Sequence, residues 1–402
     1  MLQTLAEPSQ PDGIRFPLKI LYHHRTLGDG AEGIHVASMV QALGELGHEV
    51  RVAAVIGDKT NITTPRTRLL KWLTRWTPRP VYEVMELAYS LIGFRMLMSQ
   101  IKAWKPDILY ERYTLFNFAG LAAARKAGIP LVMEVNAPLA YERAAYEQLS
   151  MKKWARYTEG LICSHADMVV VVSSPLKKYL VEEGVIDERI IILPNGVDPN
   201  LFKSDGASRR EIRERYRISE KTVVIGFVGI LRQWHGLDLL LAAVPQIISQ
   251  GHPIHVLLVG DGPSRTQLEE LARSKGVDRY VTITGRVPHT EIPQYISSFD
   301  IGVSPRATYY ASPMKILEYM ATGVAVVAPR MQNVQDLIRE NDTGMLFEPE
   351  NANDLARVLS LVVQNTQERY QLGQRALADV LERRTWRHNA ARVIELLAGH
   401  RI

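Results

Sequence analysis

From Leu18 onward the chain alternates short apolar runs with longer amphipathic stretches, and this rhythm restricts its possible folds more than any other feature. The first half carries "LKILYHH", "HEVRVAAV", "DILYER", "PLVMEV", "DMVVVVSS" and "RIIILP". The second carries "VVIGFVG", "IHVLLVG", "VTITG", "IGVSP", "VAVVAP" and "TGMLF". Each run is rich in Val, Ile or Leu and stops at Gly, Pro, Asn or Ser. Continuous apolar character suits parallel strands buried on both faces. The intervening segments, such as "IHVASMVQALGELG" and "LDLLLAAVPQIISQG", have helical spacing. Repeated β-α-β of this kind predicts an α/β protein with parallel sheets.

A chain of 402 residues, 46% of them hydrophobic, is too long for one ordinary domain and sufficient for two cores. The turn signal Asn195-Gly196 and the polar stretch "KSDGASRREIRERYRISEK" place the break near residue 202. The reading is therefore two Rossmann-like domains, 17–202 and 203–384, with a C-terminal helix over 385–402 completing the first. Two doubly wound domains would face each other across a cleft, with ligands at the carboxyl ends of the strands.

The net charge of +5 fits a slightly basic surface, or affinity for phosphate-bearing ligands or an anionic membrane. It is too small and too dispersed to argue for nucleic acid. Cys163 is the single cysteine, so no intrachain disulfide forms, and a reducing cytoplasm is expected. The opening "MLQTLAEPSQPDGIRFP" reads as a loose leader and not as a signal peptide. No apolar run reaches the roughly 18 residues of a spanning helix. One segment, "TPRTRLLKWLTRWTPRP", interleaves Lys71 and Arg75 with Trp72 and Trp76 and holds no acid. It suits peripheral contact with an anionic inner membrane face, which would bring a lipid-linked acceptor within reach. A solvated loop-helix whose tryptophans pack on the domain is the plainer alternative.

Two places predict anion binding. In "ASPMKILEYMATGVAVVAP", Ser312 is a good N-cap and Pro313 suits the first helical position. The free amides of that turn and the helix dipole make an anion site. Lys315 and Glu318 share a face, so positive charge sits beside an acceptor for a diol, as a nucleotide requires. A capped helix with a surface Lys–Glu pair is the plainer alternative. In "FVGILRQWHGLDLLLAA" a strand ends at Gly229, and the loop after it carries Arg232 and His235. Arg232 would neutralise a diphosphate and His235 would donate to it.

Taken together, "VGILRQWHGLDLLLAA", "ILEYMATGVAVVAP", "LPNGVD" and "DGAEGIHVASMVQALGELGHEV" resemble the family 4 retaining glycosyltransferases over most of the chain from Leu18. That resemblance implies the GT-B fold and sugar transfer from a nucleoside-diphosphate sugar, UDP ahead of GDP, to a glycan or lipid-linked acceptor. It implies that Arg232 and His235 hold the diphosphate, Glu318 the ribose, and the backbone at Val287 the base. Gly229, Gly30 and the amides of Ser312, Pro313, Met314, Lys315 and Ile316 would meet phosphate or donor sugar, proline contributing backbone alone. Glu32 and Gly33 would meet the acceptor. His35, beside that glycine loop, reads as a helix residue. Counting back eight from Glu318, where the family has another glutamate, this chain has Tyr310. That departure bears on sugar identity.

Glu134 and Asn136, in "VMEVNAPLAYERA" at the carboxyl end of a strand, are candidates to orient an acceptor hydroxyl or the donor sugar. A buried partner of a nearby base is the alternative for Glu134. No nucleophile elbow is present. There is no Asp-x-Asp, so neither metal nor cofactor is expected. Three other readings stay open: an epimerase of the same fold, a non-catalytic nucleotide-sugar-binding subunit, and a dehydrogenase using NAD. Gly28, Gly30 and Gly33 have dinucleotide-loop spacing, but they lie several residues past the strand.

Overall fold

The computed structural model describes residues 17–26, 30–54, 79–147 and 149–399. Gly28 and the segment bearing Lys71, Trp72, Arg75 and Trp76 lie outside them. The chain divides into two units. The first takes in described residues up to Val171, then Leu176–Ile192 and Asn389 onward. The second takes in Val172–Pro175 and Leu193–His388.

The first unit holds six parallel strands: β1 (Lys19–His24), β2 (Glu49–Ala54), β3 (Ile108–Arg112), β4 (Leu131–Val135), β5 (Met168–Val171) and β6 (Ile190–Ile192). Their order is β2-β1-β3-β4-β5-β6. The second holds β7 (Val223–Val228), β8 (Ile254–Val259), β9 (Val281–Ile283), β10 (Ile301–Val303), β11 (Ala325–Pro329) and β12 (Met345–Phe347), ordered β12-β11-β10-β7-β8-β9. This second order is that of a doubly wound sheet, with its first strand central and the switch point between β7 and β10.

The strands read as unbroken apolar runs because each feeds two cores. Along β7, Ile225 and Phe227 join one buried cluster with Leu240, Val256 and Val327. Val224 and Val228 join the other with Leu257, Leu317 and Val326. Side chains alternate across a strand, so a sheet covered on both faces needs apolar residues at every position. Edge strand β2 has three exposed residues out of six, as an edge allows.

The segment Leu193–Phe202, read from sequence as the end of the first domain, groups with the second unit. The Val197 N–H donates to the Arg384 carbonyl at 3.0 Å. Gly196 packs so closely that a Cβ there would fall 2.6 Å from the Trp386 nitrogen. The closing helix, Trp386–Gly399, begins in the second unit and belongs to the first from Asn389 on. Among the described residues no helix is long and apolar enough to cross a membrane.

One detail fixes the switch point. Gly226 of β7 lies in register with Gly302 of β10. A Cβ on either would enter a ring, Phe299 at 2.2 Å or Tyr319 at 2.5 Å. The two glycines thus admit two aromatics, which meet edge to face with centroids 6.1 Å apart. The Tyr319 hydroxyl accepts from the Val228 N–H at 2.9 Å. This bond ties the helix Met314–Ala321 to the last residue of β7.

Candidate functional site

The second unit gathers several of the expected residues at the carboxyl ends of β7 and β10. After β7 the chain turns at Gly229, whose φ of 148° favours glycine. Gly260, after β8, approaches so closely that a Cβ would lie 2.1 Å from the Gly229 carbonyl oxygen. The Leu231 N–H donates to the Asp261 carbonyl at 2.9 Å, joining the two strand-end turns. Arg232 is exposed and stacks on Trp234, 4.6 Å from its ring centroid. Arg306 braces this loop from β10's side by donating to the Gln233 carbonyl at 2.9 Å.

Helix Met314–Ala321 brings Lys315 to the same place. Its Nζ lies 3.3 Å from His235 Nδ1 and 4.1 Å from the centroid of Phe227. A Cβ on Gly229 would sit 3.4 Å from that Nζ. His235 is held down to about 3, first by burial and then by the Lys315 and Arg232 charges, so its ring is neutral. An ammonium has no lone pair to offer, so a charged Lys315 donates and Nδ1 accepts. The ring proton then sits on Nε2, free to donate to an anion. Burial pushes Lys315 down to about 7, against the opposing pull of Glu318. Burial pushes Glu318 up to about 7, against the pull of Lys315.

The helix start differs from the sequence expectation. Pro313, not Ser312, is the N-cap, and helical residues begin at Met314. Ser312 makes no cap bond because Asn195 claims it: its Oγ accepts the Asn195 N–H at 3.0 Å and its carbonyl accepts Asn195 Nδ2 at 2.8 Å. Ile316 is also not a free donor, since its N–H is bonded to the Pro313 carbonyl at 3.1 Å. Among the described residues, Met314 and Lys315 are the first-turn amides of this helix that make no backbone hydrogen bond.

Beside this cluster is a cavity of about 670 Å³. Val228, Ile230, Val259 and Val287 form an apolar floor, and Gly229 joins it to the Lys315 site. Asp261, Arg286 and His289 add polar groups. Val287 was read from sequence. Gly260 and Gly262 were not, although "LLVGDGPS" has the same strand-then-glycine form as "FVGILRQWHG".

The first unit has its own polar centre. Glu134, at the end of β4, is 2% exposed and almost wholly enclosed. Its Oε2 accepts from Tyr110 at 2.8 Å and Tyr22 at 3.3 Å. Its Oε1 accepts from Arg112 at 2.9 Å and Asn136 at 2.6 Å, and His35 Nε2 lies 3.0 Å away. Burial alone would raise this carboxyl. His35, Arg112 and Asn136 outweigh burial and hold it well below the usual carboxylate range. The helix Ala31–Glu45 supplies His35 and starts at Gly30, with φ 87° and open space where a Cβ would point. Glu32 is exposed and Gly33 half-buried on its first turn. Among the described residues no three His, Cys, Asp or Glu side chains gather as a metal site.

Comparison with known proteins agrees with this architecture. The model of glycosyl transferases group 1 matches residues 208–379, and that of glycosyltransferase family 4 matches 32–201. A GDP-mannose-dependent alpha-(1-6)-phosphatidylinositol monomannoside mannosyltransferase of Mycobacterium tuberculosis is 27% identical over 256 residues, covering 62% of this chain. The match spans 66% of that relative's own length, so slightly under two thirds of it is represented. The sulfoquinovosyl transferase SQD2 of Arabidopsis thaliana is 26% identical over 324 residues, 78% of this chain and 60% of its own length. In three dimensions the chain is similar to Anabaena HepE, solved in complex with UDP, with a TM-score of 0.71, 18% identity, and 95% and 100% of the two chains covered. A glycosyltransferase from Rickettsia africae gives 0.72 at 17% identity, covering 96% and 99%. With two parallel α/β units, GT-B neighbours in structure and two family models that together take in most of its length, the chain belongs to the family 4 glycosyltransferases.

Proposed function

We propose that the chain transfers a sugar from a nucleoside-diphosphate donor to an acceptor hydroxyl, with retention at the anomeric carbon. The observation that carries this is the meeting of Lys315, His235 and Gly229 beside the Val287 cavity. The base lies on the apolar floor at Val287, the ribose hydroxyls donate to Glu318, and the diphosphate faces Arg232, Lys315 and the Nε2–H of His235. As the bond from C1 to the diphosphate oxygen breaks, charge grows on that oxygen, and preplaced cations stabilise it most at that moment. The acceptor oxygen bonds to C1 on the same face, and its proton passes to the departing phosphate. In this scheme Glu134 is a positioning residue. A carboxylate held so far below its usual range is a poor base, whereas it orients His35 and Asn136 firmly. The acceptor is a glycan or lipid-linked hydroxyl.

Thermal shift against UDP, GDP, their sugar conjugates and NADH tests the assignment and separates the two bases. Stabilisation by NADH with none by a nucleoside diphosphate would reverse it. Release of free nucleotide or an epimerised sugar with no acceptor present would mark the epimerase reading instead.

The two groups at about 7 also predict a pH profile. As pH falls below about 7, Glu318 gains a proton and loses its capacity to accept from both ribose hydroxyls. As pH rises above about 7, the empty site's Lys315 loses its proton. A bound diphosphate favours the charged lysine, so binding on the alkaline side takes up a proton. Nucleotide affinity is therefore expected to peak near neutrality. Titration calorimetry in buffers of different ionisation enthalpy would show uptake at about pH 8. A flat affinity from about pH 6 to about pH 9 contradicts these roles.

A further inference from the structure

The first unit buries a second carboxyl group that the proposed mechanism does not use. Glu159, on the helix Lys152–Ser164, is 0% exposed. Its Oε2 accepts from the Tyr179 hydroxyl at 2.6 Å, and its Oε1 accepts from the Ala140 N–H at 3.2 Å. Ala140 lies in the first turn of the helix Leu139–Tyr146, so this oxygen satisfies an amide that a helix start leaves without a partner. The N-cap, Pro138, makes no side-chain cap bond. Gly160, beside Glu159, admits the Glu183 backbone: a Cβ there would lie 2.4 Å from the Glu183 carbonyl oxygen.

Where this carboxyl sits matters more than what it packs against. Asn136, which donates to Glu134 at 2.6 Å, lies on the turn that leads into the Leu139 helix. Tyr113, fully buried, is pushed well above its ordinary value first by burial and then by the Glu159 charge. Its N–H donates to the Glu134 carbonyl at 2.8 Å, and the preceding Arg112 donates to the Glu134 carboxylate. Glu159 thus bears on both segments that carry Asn136 and Arg112. The other titratable groups around it are Glu183, Arg156 and Cys163. Arg156 is committed to Glu183, with Nε 3.0 Å from Oε1, and Cys163 is a buried thiol that burial pushes up. Burial pushes Glu159 up to about 7, against the bonds from Tyr179, Ala140 and Leu139, and Glu183 adds to the rise.

We infer that Glu159 is the positioning residue that sets the Asn136 turn, and that its hold on the Leu139 helix is under proton control. The inference rests on the sugar-transfer reading above, in which Asn136 and Glu134 arrange the reacting groups. The neutral acid accepts from the Ala140 amide through one oxygen and donates to the Tyr179 oxygen through the other. A carboxylate in the same place has lost its water with no cation in exchange. Opening the helix start returns that water. The folded value lies above the ordinary 4.5, so the stability of the closed form is fully present below that pH and is lost as pH rises through about 7.

Glu159→Gln tests it, because the amide keeps the shape and both bonds and does not ionise. Wild type and variant are compared for amide exchange protection over 136–146, melting temperature, affinity for UDP and GDP, and turnover of the nucleotide sugar with an alkyl glycoside as acceptor probe. Wild-type protection should fall by about five- to tenfold between about pH 6 and about pH 8, as a shift from 4.5 to about 7 requires when opening restores water. The variant's protection should stay level, and its melting temperature should gain on wild type over the same range. Its turnover relative to wild type should rise about threefold or more with pH, while UDP and GDP affinities stay within about twofold at each pH. Both proteins carry Lys315 and Glu318, so the titration of those two cancels in the ratio. Tyr179→Phe removes a bond that pulls the carboxyl down, so it should extend the loss of protection to higher pH. It serves if the glutamine variant misfolds. Protection that falls equally in wild type and Glu159→Gln, or that separates while relative turnover stays flat, overturns this inference alone. Exchange decides by itself where the glycoside is not turned over. A wild-type chain that binds neither UDP nor GDP overturns the reading above and this inference with it.

Discussion

Replacing Lys315 with methionine is expected to weaken nucleoside diphosphate binding by about 10- to 150-fold, the loss that follows from removing a charge-assisted bond of about 1.5–3 kcal/mol. The reason is the division of labour at the diphosphate site. His235 is neutral, pressed down by burial and by two neighbouring cations, and contributes a hydrogen bond without charge. Lys315, from the facing helix, supplies the second positive charge beside Arg232. His235→Gln, which keeps an N–H donor, should therefore cost only a few-fold. The double change Lys315→Met with His235→Lys moves the charge from helix to loop across 3.3 Å and should recover much of the lost affinity. Stability should move the other way. The lysine's folded value lies below its ordinary 10.5, so keeping the proton costs stability below that pH, in full below about 7. The unliganded methionine variant should thus melt no earlier than wild type at neutral pH. Calorimetric titration with the diphosphate and with the bare nucleoside separates the causes, since only the former should lose affinity strongly. Diphosphate binding within twofold of wild type would remove Lys315 from the site.

Much of this arrangement was legible in the chain because it is local. The strands announced themselves through continuous apolar runs, and Lys315 and Glu318 through three-residue spacing behind a proline. The loop after β7 announced itself through a glycine followed by Arg232 and His235. What sequence could not show was which distant group claims a side chain first. Ser312 has the right chemistry for an N-cap, yet Asn195, 117 residues away, takes both its hydroxyl and its carbonyl. Gly226 and Gly302 look like weak points in their strands until register places them side by side beneath two rings. Asn333 belongs to no periodic pattern at all, yet its Nδ2 donates to the carbonyls of Thr308 at 2.9 Å and Ala311 at 2.7 Å.

Glu134 makes the same point at larger energetic scale, and its replacement by glutamine is expected to be the most destabilising single change in the first unit. The carboxylate takes hydrogen bonds from Tyr22 on β1, Tyr110 and Arg112 on β3, and Asn136 just beyond β4, with His35 from the first helix 3.0 Å away. Four elements thus converge on one charge. Neutralising it leaves Arg112, a half-buried cation, without its counter-charge, and strands the buried donors of Tyr22 and Tyr110 around a neutral amide, a change that costs up to roughly 3–5 kcal/mol. For a unit of this size that lowers Tm by roughly 6–20 °C. The pH dependence follows from the sign of the shift. The folded carboxyl lies below its ordinary 4.5, so its stabilisation is complete above that value and fades as pH falls through the folded one. The gap in Tm between wild type and Glu134→Gln should therefore be widest near neutrality and narrow below about pH 4.5. Melting both proteins across that range distinguishes a positioning carboxylate from a catalytic one. A variant that melts with wild type yet loses turnover would make Glu134 a participant in the chemistry. A variant that melts early and keeps part of its turnover at low temperature would make it the group that holds His35 and Asn136 in place.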